Sequence, residues 1–166
     1  MGQFNNKITA TFDPPRKWIM KKDLTYTCTD LSDDEAIALA TIGVQIENSN
    51  RLRVKEDFVT DLASVPRICW NLIAPWDVAR AAIIHDLLYK RIRQYRWNAE
   101  AERGAGGIIL GEDKSLVKAA KKAADKVFLC GMKDASPSVP KWKIYSAYYA
   151  VALFGRWSIK PNEENI

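Results

Sequence analysis

The sequence predicts an α+β fold in which a small, mostly antiparallel β portion is followed by three main helices, all in one domain over residues 1–166. Three observations lead to this prediction. With 166 residues, 48% of them hydrophobic, the chain can bury one core but hardly two. Short stretches rich in Thr, Ile, Tyr and Trp dominate the first third, as is typical of strands. Apolar residues then recur at helical spacing over three longer stretches.

The β portion is predicted from short strand-like runs and the turns between them. Three strands come first, KITATF (7–12), KWIM (17–20) and LTYTC (24–28). Residues 13–15, Asp-Pro-Pro, form the turn between the first two. Ser32 and Glu35 have the spacing of a capping box and predict a short helix over 33–41. RLRVKEDFV (51–59) alternates polar and apolar residues, which predicts a fourth strand.

The remainder is predicted to be a loop, a helical region and a polar tail. Residues 61–76 form the loop, since this stretch begins with the turn residues of TDLASVPR. The helical region covers 77–157, with helices over 77–95, 114–132 and 139–155. Gly155 is expected to end the last helix. Residues 158–166 form the tail, which is expected to fray.

Composition excludes several classes of protein. No stretch approaches the roughly 18 consecutive apolar residues that cross a bilayer, and the N-terminus lacks the pattern of a secretory signal. We therefore expect the chain to fold in the cytoplasm of the cell that makes it. The three cysteines, Cys28, Cys69 and Cys130, are far apart and form no C-x-x-C pair. We therefore expect them to be small buried hydrophobic residues and not to form disulfides or a zinc site. A metal would then be held mainly by oxygen atoms, as calcium and magnesium are.

A basic run, KRIRQYR (90–96), contributes to the net charge of +5. Cations beside aromatic residues can bind the phosphates of nucleic acid or of a lipid surface. A solvated helix end, where cations complement the helix dipole, is the favoured interpretation. We therefore do not expect nucleic acid as a partner. An anionic membrane surface remains an alternative partner, and Trp76 or Trp97 would then be the aromatic residues that face it.

His85, the only histidine, lies in the apolar stretch AAIIHDLLYK (81–90). Residues three and four apart share a helix face, and His85 falls on the face formed by Val78, Ala81, Ala82, Leu88, Tyr89 and Ile92. The imidazole is therefore expected to point into the core, where a histidine needs a partner. On spacing alone, a satisfied structural histidine is the favoured interpretation.

Asp125 is the best partner for His85 that the sequence offers. It lies on the flank of the apolar face of the second long helix, where a carboxylate is unfavourable unless it meets a donor or a cation. An antiparallel pair of these two helices would bring Asp125 opposite His85 and Tyr89. One histidine nitrogen would then donate to Asp125, and the other would be left as a base. The same three residues could equally form a buried network that only locks two helices together.

Four ordered motifs resemble an uncharacterised family of small proteins found mainly in tailed bacteriophages and prophages. They are FVTDLASVPR (58–67), AxxHDxLY (82–89), ADxxFxxxM (124–132) and YYAVxxFG (148–155). The resemblance implies synthesis in the cytoplasm of a host bacterium. It also implies other phage proteins or further copies of the chain as partners, and a place in the virion as one destination. It implies no particular reaction.

The spacing His85-Asp86-x-x-Tyr89, with Asp125 on a later helix, is similar to the core of phospholipase A₂ enzymes. The similarity is greatest to the disulfide-free forms in parvovirus capsids and to some bacterial secreted forms. It implies that His85 is the base that activates a water, that Asp125 orients it, and that Tyr89 supports Asp125. Asp86 would be a calcium ligand.

The stretch before the histidine helix departs from that pattern. Phospholipases A₂ hold calcium with backbone carbonyls of a glycine-rich loop, whereas residues 60–77 contain no glycine. Asp61 or Ser64 oxygens would have to join Asp86 around the ion. Alternatively, Asp61 and Arg67 only brace the helix.

Two functions are consistent with these residues. The first is a hydrolase in which His85 activates water toward a lipid ester, with a cation near Asp86, during phage entry or lysis. The second is a non-catalytic virion component of the tail, baseplate or capsid, in which His85, Asp86 and Asp125 are structural. A weaker alternative, an intracellular inhibitor of a bacterial enzyme or nucleic-acid pathway, rests only on charge and size.

Overall fold

The structure of the protein, a computed structural model, describes residues 2–5, 7–14, 17–61, 75–104, 113–136, 138–163 and 165–166. The strands are β1 (Gln3–Phe4), β2 (Ala10–Asp13), β3 (Lys17–Met20), β4 (Leu24–Thr27), β5 (Ile46–Glu47), β6 (Arg51–Val54) and β7 (Val59–Thr60). The helices are α1 (Asp33–Thr41), α2 (Pro75–Gly104), α3 (Lys114–Lys133) and α4 (Lys141–Ser158). The predicted α+β class, with the β part first, is confirmed.

The strands form two antiparallel sheets, one in the order β1-β4-β6-β5 and the other in the order β2-β3-β7. In the second sheet, Ala10 pairs with Met20 and Asp13 with Lys17, so β2 and β3 form the hairpin that the Asp-Pro-Pro turn predicted. In the first sheet, β4 lies between β1 and β6 and buries Leu24 and Tyr26. The two-residue strands β1 and β5 were not predicted.

The prediction of a single strand over 51–59 was wrong. This stretch contains β6 and β7, which belong to different sheets. Between them the chain turns at Asp57, which has a φ of 62°. A residue with positive φ cannot continue an extended strand. The turn is tied to the end of β3, since the Asp57 backbone N–H donates to the carbonyl of Met20 at 2.8 Å.

Helix α1 begins with the predicted capping box and spans the predicted residues. The Glu35 N–H donates to Ser32 Oγ at 3.3 Å, and the Ser32 N–H donates back to the Glu35 carboxylate at 3.0 Å. Glu35 also forms an ion pair of 2.6 Å with Lys126 of α3. This ion pair attaches α1 to α3.

The three longer helices match their predictions in position but not in every boundary. Helix α2 begins at Pro75 and continues to Gly104, nine residues beyond the predicted end at 95. Residues 96–104 read RWNAEAERG, and their Ala, Glu and Arg residues favour helix. Helix α3 is capped by Asp113, whose side chain accepts from two backbone N–H groups. Most of the predicted loop, residues 62–74, lies outside the described residues.

Gly155 does not end α4, which continues to Ser158. The glycine is instead a point of close packing between α4 and α2. A Cβ atom added at Gly155 would overlap the Tyr89 hydroxyl group. The residue is therefore small because a tyrosine side chain occupies the space beside it, and the prediction of a helix stop was wrong.

The sequence suggested that the basic run over 90–96 is a solvated helix end, and this prediction was wrong. It lies within α2, and two of its arginines bind the C-terminal part of the chain. Arg93 donates to the carbonyls of Ser158 and Asn165, and Arg96 donates to the carbonyl of Ile159. Because of these hydrogen bonds the tail is attached to α2, contrary to the prediction that it frays.

The core lies between the first sheet and the four helices. Buried residues of β4, β6 and all four helices form one hydrophobic cluster. Cys28 and Cys130 are buried in it as unpaired thiols, as predicted, while Cys69 lies outside the described residues. Among the described helices, none is long and apolar enough to span a membrane.

Candidate functional site

Helices α2 and α3 are packed antiparallel, as the predicted site required. Near one end of the contact, a Cβ at Gly131 would lie 3.0 Å from the Ala81 Cβ. Further along α2, His85 and Tyr89 contact Asp125, which precedes Gly131 in α3. Because Gly131 and Ala81 are small, the two helix backbones can approach closely.

The His85 side chain is fully buried, which confirms the face assigned to it from helical spacing. Its ring centroid lies 3.9 Å from that of Tyr89 and 5.0 Å from that of Phe128. The two aromatic rings therefore hold the imidazole on both α2 and α3 sides. The apolar residues predicted to share its face are buried as well.

One carboxylate collects three side-chain donors in this core. Asp125 Oδ1 lies 3.2 Å from His85 Nε2 and accepts from the Tyr89 hydroxyl at 2.7 Å. Its other oxygen, Oδ2, accepts from Lys121 Nζ at 2.6 Å. The three residues predicted to meet are thus brought together, and we call His85, Tyr89, Lys121 and Asp125 the His–Asp cluster.

Lys121 is the member of the His–Asp cluster that we did not predict. It precedes Asp125 by four residues, and pairs of opposite charge at this spacing face each other on a helix. The sequence therefore contained the signal. The lysine also donates to the carbonyl of Ala152 at 3.3 Å, which ties the cluster to α4.

The surroundings of Asp125 determine which histidine nitrogen holds a proton. Burial opposes ionisation of Asp125, but hydrogen bonds from His85, Lys121 and Tyr89 outweigh it and lower the pKa of the carboxyl group. An ionised carboxylate only accepts hydrogen bonds. His85 must therefore donate from Nε2, and the lone pair of the neutral imidazole is then on Nδ1.

Tyr89 is held in its neutral, donating form. Burial raises the pKa of the tyrosine, and the negative charge of Asp125 and their hydrogen bond raise it further. The hydroxyl group therefore keeps its proton and continues to support the carboxylate.

His85 Nδ1 is buried and has no hydrogen-bond partner within the part of the chain that the structure describes. Leaving a buried polar atom unpaired costs about 1–3 kcal/mol, so such an atom calls for an explanation. A basic lone pair on a rigidly held imidazole is what a general base requires. Chemically, the cluster can accept a proton at Nδ1 and stabilise the resulting imidazolium through Asp125.

Asp86 and Asp61, the two predicted metal ligands, line the same cavity of about 510 Å³. Asp86 is buried and accepts a hydrogen bond from the Thr60 hydroxyl. The half-buried Arg93 lines this cavity too. Burial lowers the pKa of its guanidinium, while the negative charges of Asp86 and Asp61 act in the opposite direction. The two carboxylates are thus neighbours of a fixed cation.

The described surroundings of Asp86 do not by themselves fit a calcium ion. Calcium takes 6–8 oxygen ligands, and the described residues contain no group of three or more acidic, histidine or cysteine side chains that could hold a metal. Instead of an ion, Asp86 has the Thr60 hydroxyl as a hydrogen-bond donor and the charge of the Arg93 guanidinium nearby. We therefore derive no step through a metal. Ser64 and Arg67 of the predicted loop lie outside the described residues.

Fold and site together define an α+β protein with a buried His–Asp cluster between two antiparallel helices. The chain belongs to the family described as "Protein of unknown function (DUF1353)", which matches residues 39–151. No curated protein and no solved structure matches the chain. The expectation of an uncharacterised family is thereby confirmed. The matched residues include both helices of the pair and the complete His–Asp cluster.

Proposed function

We propose that the protein is a lipid-ester hydrolase in which His85 activates the attacking water. The observation that carries the proposal is the asymmetric environment of the imidazole. Its Nε2 side is bound to an ionised carboxylate, and its Nδ1 side has no partner among the described residues. This is the arrangement that the resemblance to phospholipases A₂ implies for a catalytic histidine.

The reaction uses Nδ1 as general base and then the imidazolium as general acid. Nδ1 takes a proton from water while the water oxygen forms a bond to the ester carbonyl carbon. A tetrahedral oxyanion results, and the imidazolium is stabilised by Asp125. When the intermediate collapses, the bond to the alkoxide breaks and the imidazolium returns the proton to that alkoxide. Acid and alcohol are released, and His85 is neutral again.

The other residues of the cluster are positioning residues. Tyr89 and Lys121 keep Asp125 ionised and oriented, since each donates to one of its oxygens. Because Asp125 is held from both sides, the imidazole ring is fixed with Nε2 on the carboxylate and with Nδ1 unpaired among the described residues.

The reaction proposed here does not depend on calcium. The resemblance to phospholipases A₂ implies an ion at Asp86. Among the described residues, however, Asp86 accepts a hydrogen bond from Thr60 and interacts with the positive charge of Arg93. We therefore expect Asp86 to hold the neighbouring strand β7 in place and expect hydrolysis to continue in the presence of a chelator.

The biological setting is part of the proposal. A phage or prophage origin rests on the four motifs, and local hydrolysis of host membrane lipids during entry or lysis would suit a phage protein. Made in the host cytoplasm, the protein would act there or travel with the virion.

A non-catalytic virion component is the second candidate function. The ion pair between Lys121 and Asp125 favours it, because Lys121 satisfies the buried carboxylate without any chemistry at His85. In that case the His–Asp cluster would only join α2 to α3. Mass spectrometry of purified phage particles tests this function. Absence of the protein from the virions would contradict it.

Fatty-acid release tests the hydrolase. Wild type, His85→Ala and Tyr89→Phe would be compared on phosphatidylglycerol vesicles and on a soluble short-chain phospholipid, each with calcium and with EDTA. We expect His85→Ala to lower the rate by about 10²-fold or more, the typical contribution of general-base catalysis. Tyr89→Phe, which keeps the ring against His85, should lower it less.

Gln94→Ala, on α2 but outside the cluster, is the matched control and should hydrolyse at the wild-type rate. Circular dichroism verifies that each variant is folded. The proposal is contradicted by a wild type that releases no fatty acid from either substrate, or by a folded His85→Ala variant with full activity.

A further inference from the structure

Helix α4 has two apolar faces, and only one of them is packed against other described residues. Ile144, Ala147, Val151 and Gly155 form the buried face. The opposite side carries large hydrophobic residues whose exposed fractions range from 40% to 65%, namely Trp142, Tyr145, Tyr149, Leu153, Phe154 and Trp157. Five of them recur at intervals of three or four and so lie on one side of the helix. We call these six residues the aromatic face.

The aromatic face is surrounded by positive charge. The sequence of α4 contains Lys141, Lys143 and Arg156 but no Asp or Glu. Two of these cations lie over rings of the face, with Arg156 Cζ 4.1 Å from the Trp157 centroid and Lys143 Nζ 5.9 Å from the Trp142 centroid. A third cation, Lys133 of α3, lies 5.5 Å from the Tyr145 centroid. The patch therefore combines apolar area with basic residues of α4 and α3.

A contiguous exposed patch of this kind marks an interaction surface. A second copy of the chain is a poor occupant, because a twofold contact would bring like charges of the two α4 helices together. An anionic lipid surface matches both properties. Tryptophan and tyrosine side chains are favoured at the headgroup level of a bilayer, and Lys and Arg can extend beside them toward lipid phosphates. One projecting helix face also suits a surface better than it suits a peptide, which needs a groove.

We propose that the aromatic face of α4 docks the protein on an anionic membrane. Ser158, the last residue of α4, lines the same cavity as Asp86, the residue that follows His85 in α2. This surface differs from the one expected from the sequence, because Trp97 is half-buried and the basic run is bound to the tail. The proposal adds a docking surface to the proposed hydrolase, but it rests on residues that the chemistry does not use.

Vesicle co-sedimentation of the full chain tests the docking surface. We expect binding to phosphatidylglycerol vesicles that weakens with salt, and much weaker binding to phosphatidylcholine. Trp142→Ala with Trp157→Ala should lower the affinity by about tenfold for each tryptophan, the order expected when a large apolar side chain leaves a half-buried position. His85→Ala should bind vesicles as the wild type does.

A matched pair of variants separates this surface from general hydrophobicity. Leu153 and Ile37 are similarly exposed, at 65% and 63%, and lie on α4 and α1. Leu153→Ser should weaken vesicle binding several-fold, and Ile37→Ser should leave it unchanged.

The proposal is overturned if the wild type does not bind anionic vesicles, or if the two serine variants bind equally. It is also overturned if the tryptophan variants retain vesicle binding but lose self-association in sedimentation velocity, since the face would then join copies of the chain. A wild type that hydrolyses the soluble short-chain phospholipid but does not bind anionic vesicles would contradict the docking surface alone and leave the hydrolase standing.

Discussion

At the scale of single residues, Asp125 determines how His85 can act. A buried carboxylate is unfavourable, yet this one accepts from an imidazole, a phenol and an ammonium group. These donors keep it ionised, and ionisation in turn places the imidazole proton on Nε2. The difference between a structural histidine and a base therefore lies at Nδ1, which no described residue satisfies.

Asp125→Asn tests this role through the pH dependence of stability. The pKa of Asp125 is lowered in the folded state, whereas in the unfolded chain it has its ordinary value of about 4. Its ionisation thus stabilises the fold fully above about pH 4, and this contribution is lost as the pH falls through the folded-state pKa. At pH 7 we expect the variant to lose about 1–3 kcal/mol of unfolding free energy, because donors are left without their acceptor.

Urea unfolding from pH 3 to 7, compared with the exposed control Asp33→Asn, measures the effect. The difference between wild type and Asp125→Asn should shrink as the pH is lowered below about 4. A difference that stays constant over this range would show that the carboxylate is not ionised in the fold.

At the scale of elements, small residues allow three helices to enclose the His–Asp cluster. Gly131 of α3 faces Ala81 of α2, and Gly155 of α4 faces Tyr89 of α2. Each contact brings a backbone close to a neighbouring side chain. The position of the Tyr89 hydroxyl group, and hence its hydrogen bond to Asp125, depends on the missing side chain at Gly155.

Gly155→Ala should therefore act through Tyr89. The added methyl group overlaps the tyrosine hydroxyl group, so we expect a loss of about 1–3 kcal/mol, typical of overpacking, and reduced hydrolysis. In a Tyr89→Phe background the overlap is relieved, and the same substitution should cost less. A double-mutant cycle in urea measures this coupling, expected at about 0.5 kcal/mol or more. Strictly additive losses would show that Gly155 and Tyr89 do not share the space.

At the scale of the whole molecule, contacts distant in sequence join the β part and the tail to the helices. The Tyr26 hydroxyl group and the Gly2 backbone N–H both donate to Asp134, just beyond α3. Arg93 binds the carbonyl of Asn165, 72 positions later. These contacts determine how the sheet and the C-terminal segment are placed around the paired helices.

The α+β class and the inward direction of His85 could be predicted because they follow from local periodicity. Asp125 was predictable as its partner, since a carboxylate beside an apolar helix face needs a donor. Other features follow from no local pattern. The contacts of Thr60 with Asp86 and of Arg93 with the tail join distant parts of the chain, and two-residue strands are too short for a period. The prediction that Gly155 ends α4 was wrong because a glycine that ends a helix and one that makes room for a neighbouring side chain look alike in sequence.

The most direct test of the central claim is the protonation state of the one histidine, measured by NMR with ¹⁵N-labelled histidine. Because the chain has a single histidine, the two ring nitrogens give unambiguous signals. At pH 8 we predict a proton on Nε2 and a bare lone pair on Nδ1. A proton on Nδ1 would contradict the account, since that nitrogen could not then accept a proton from water.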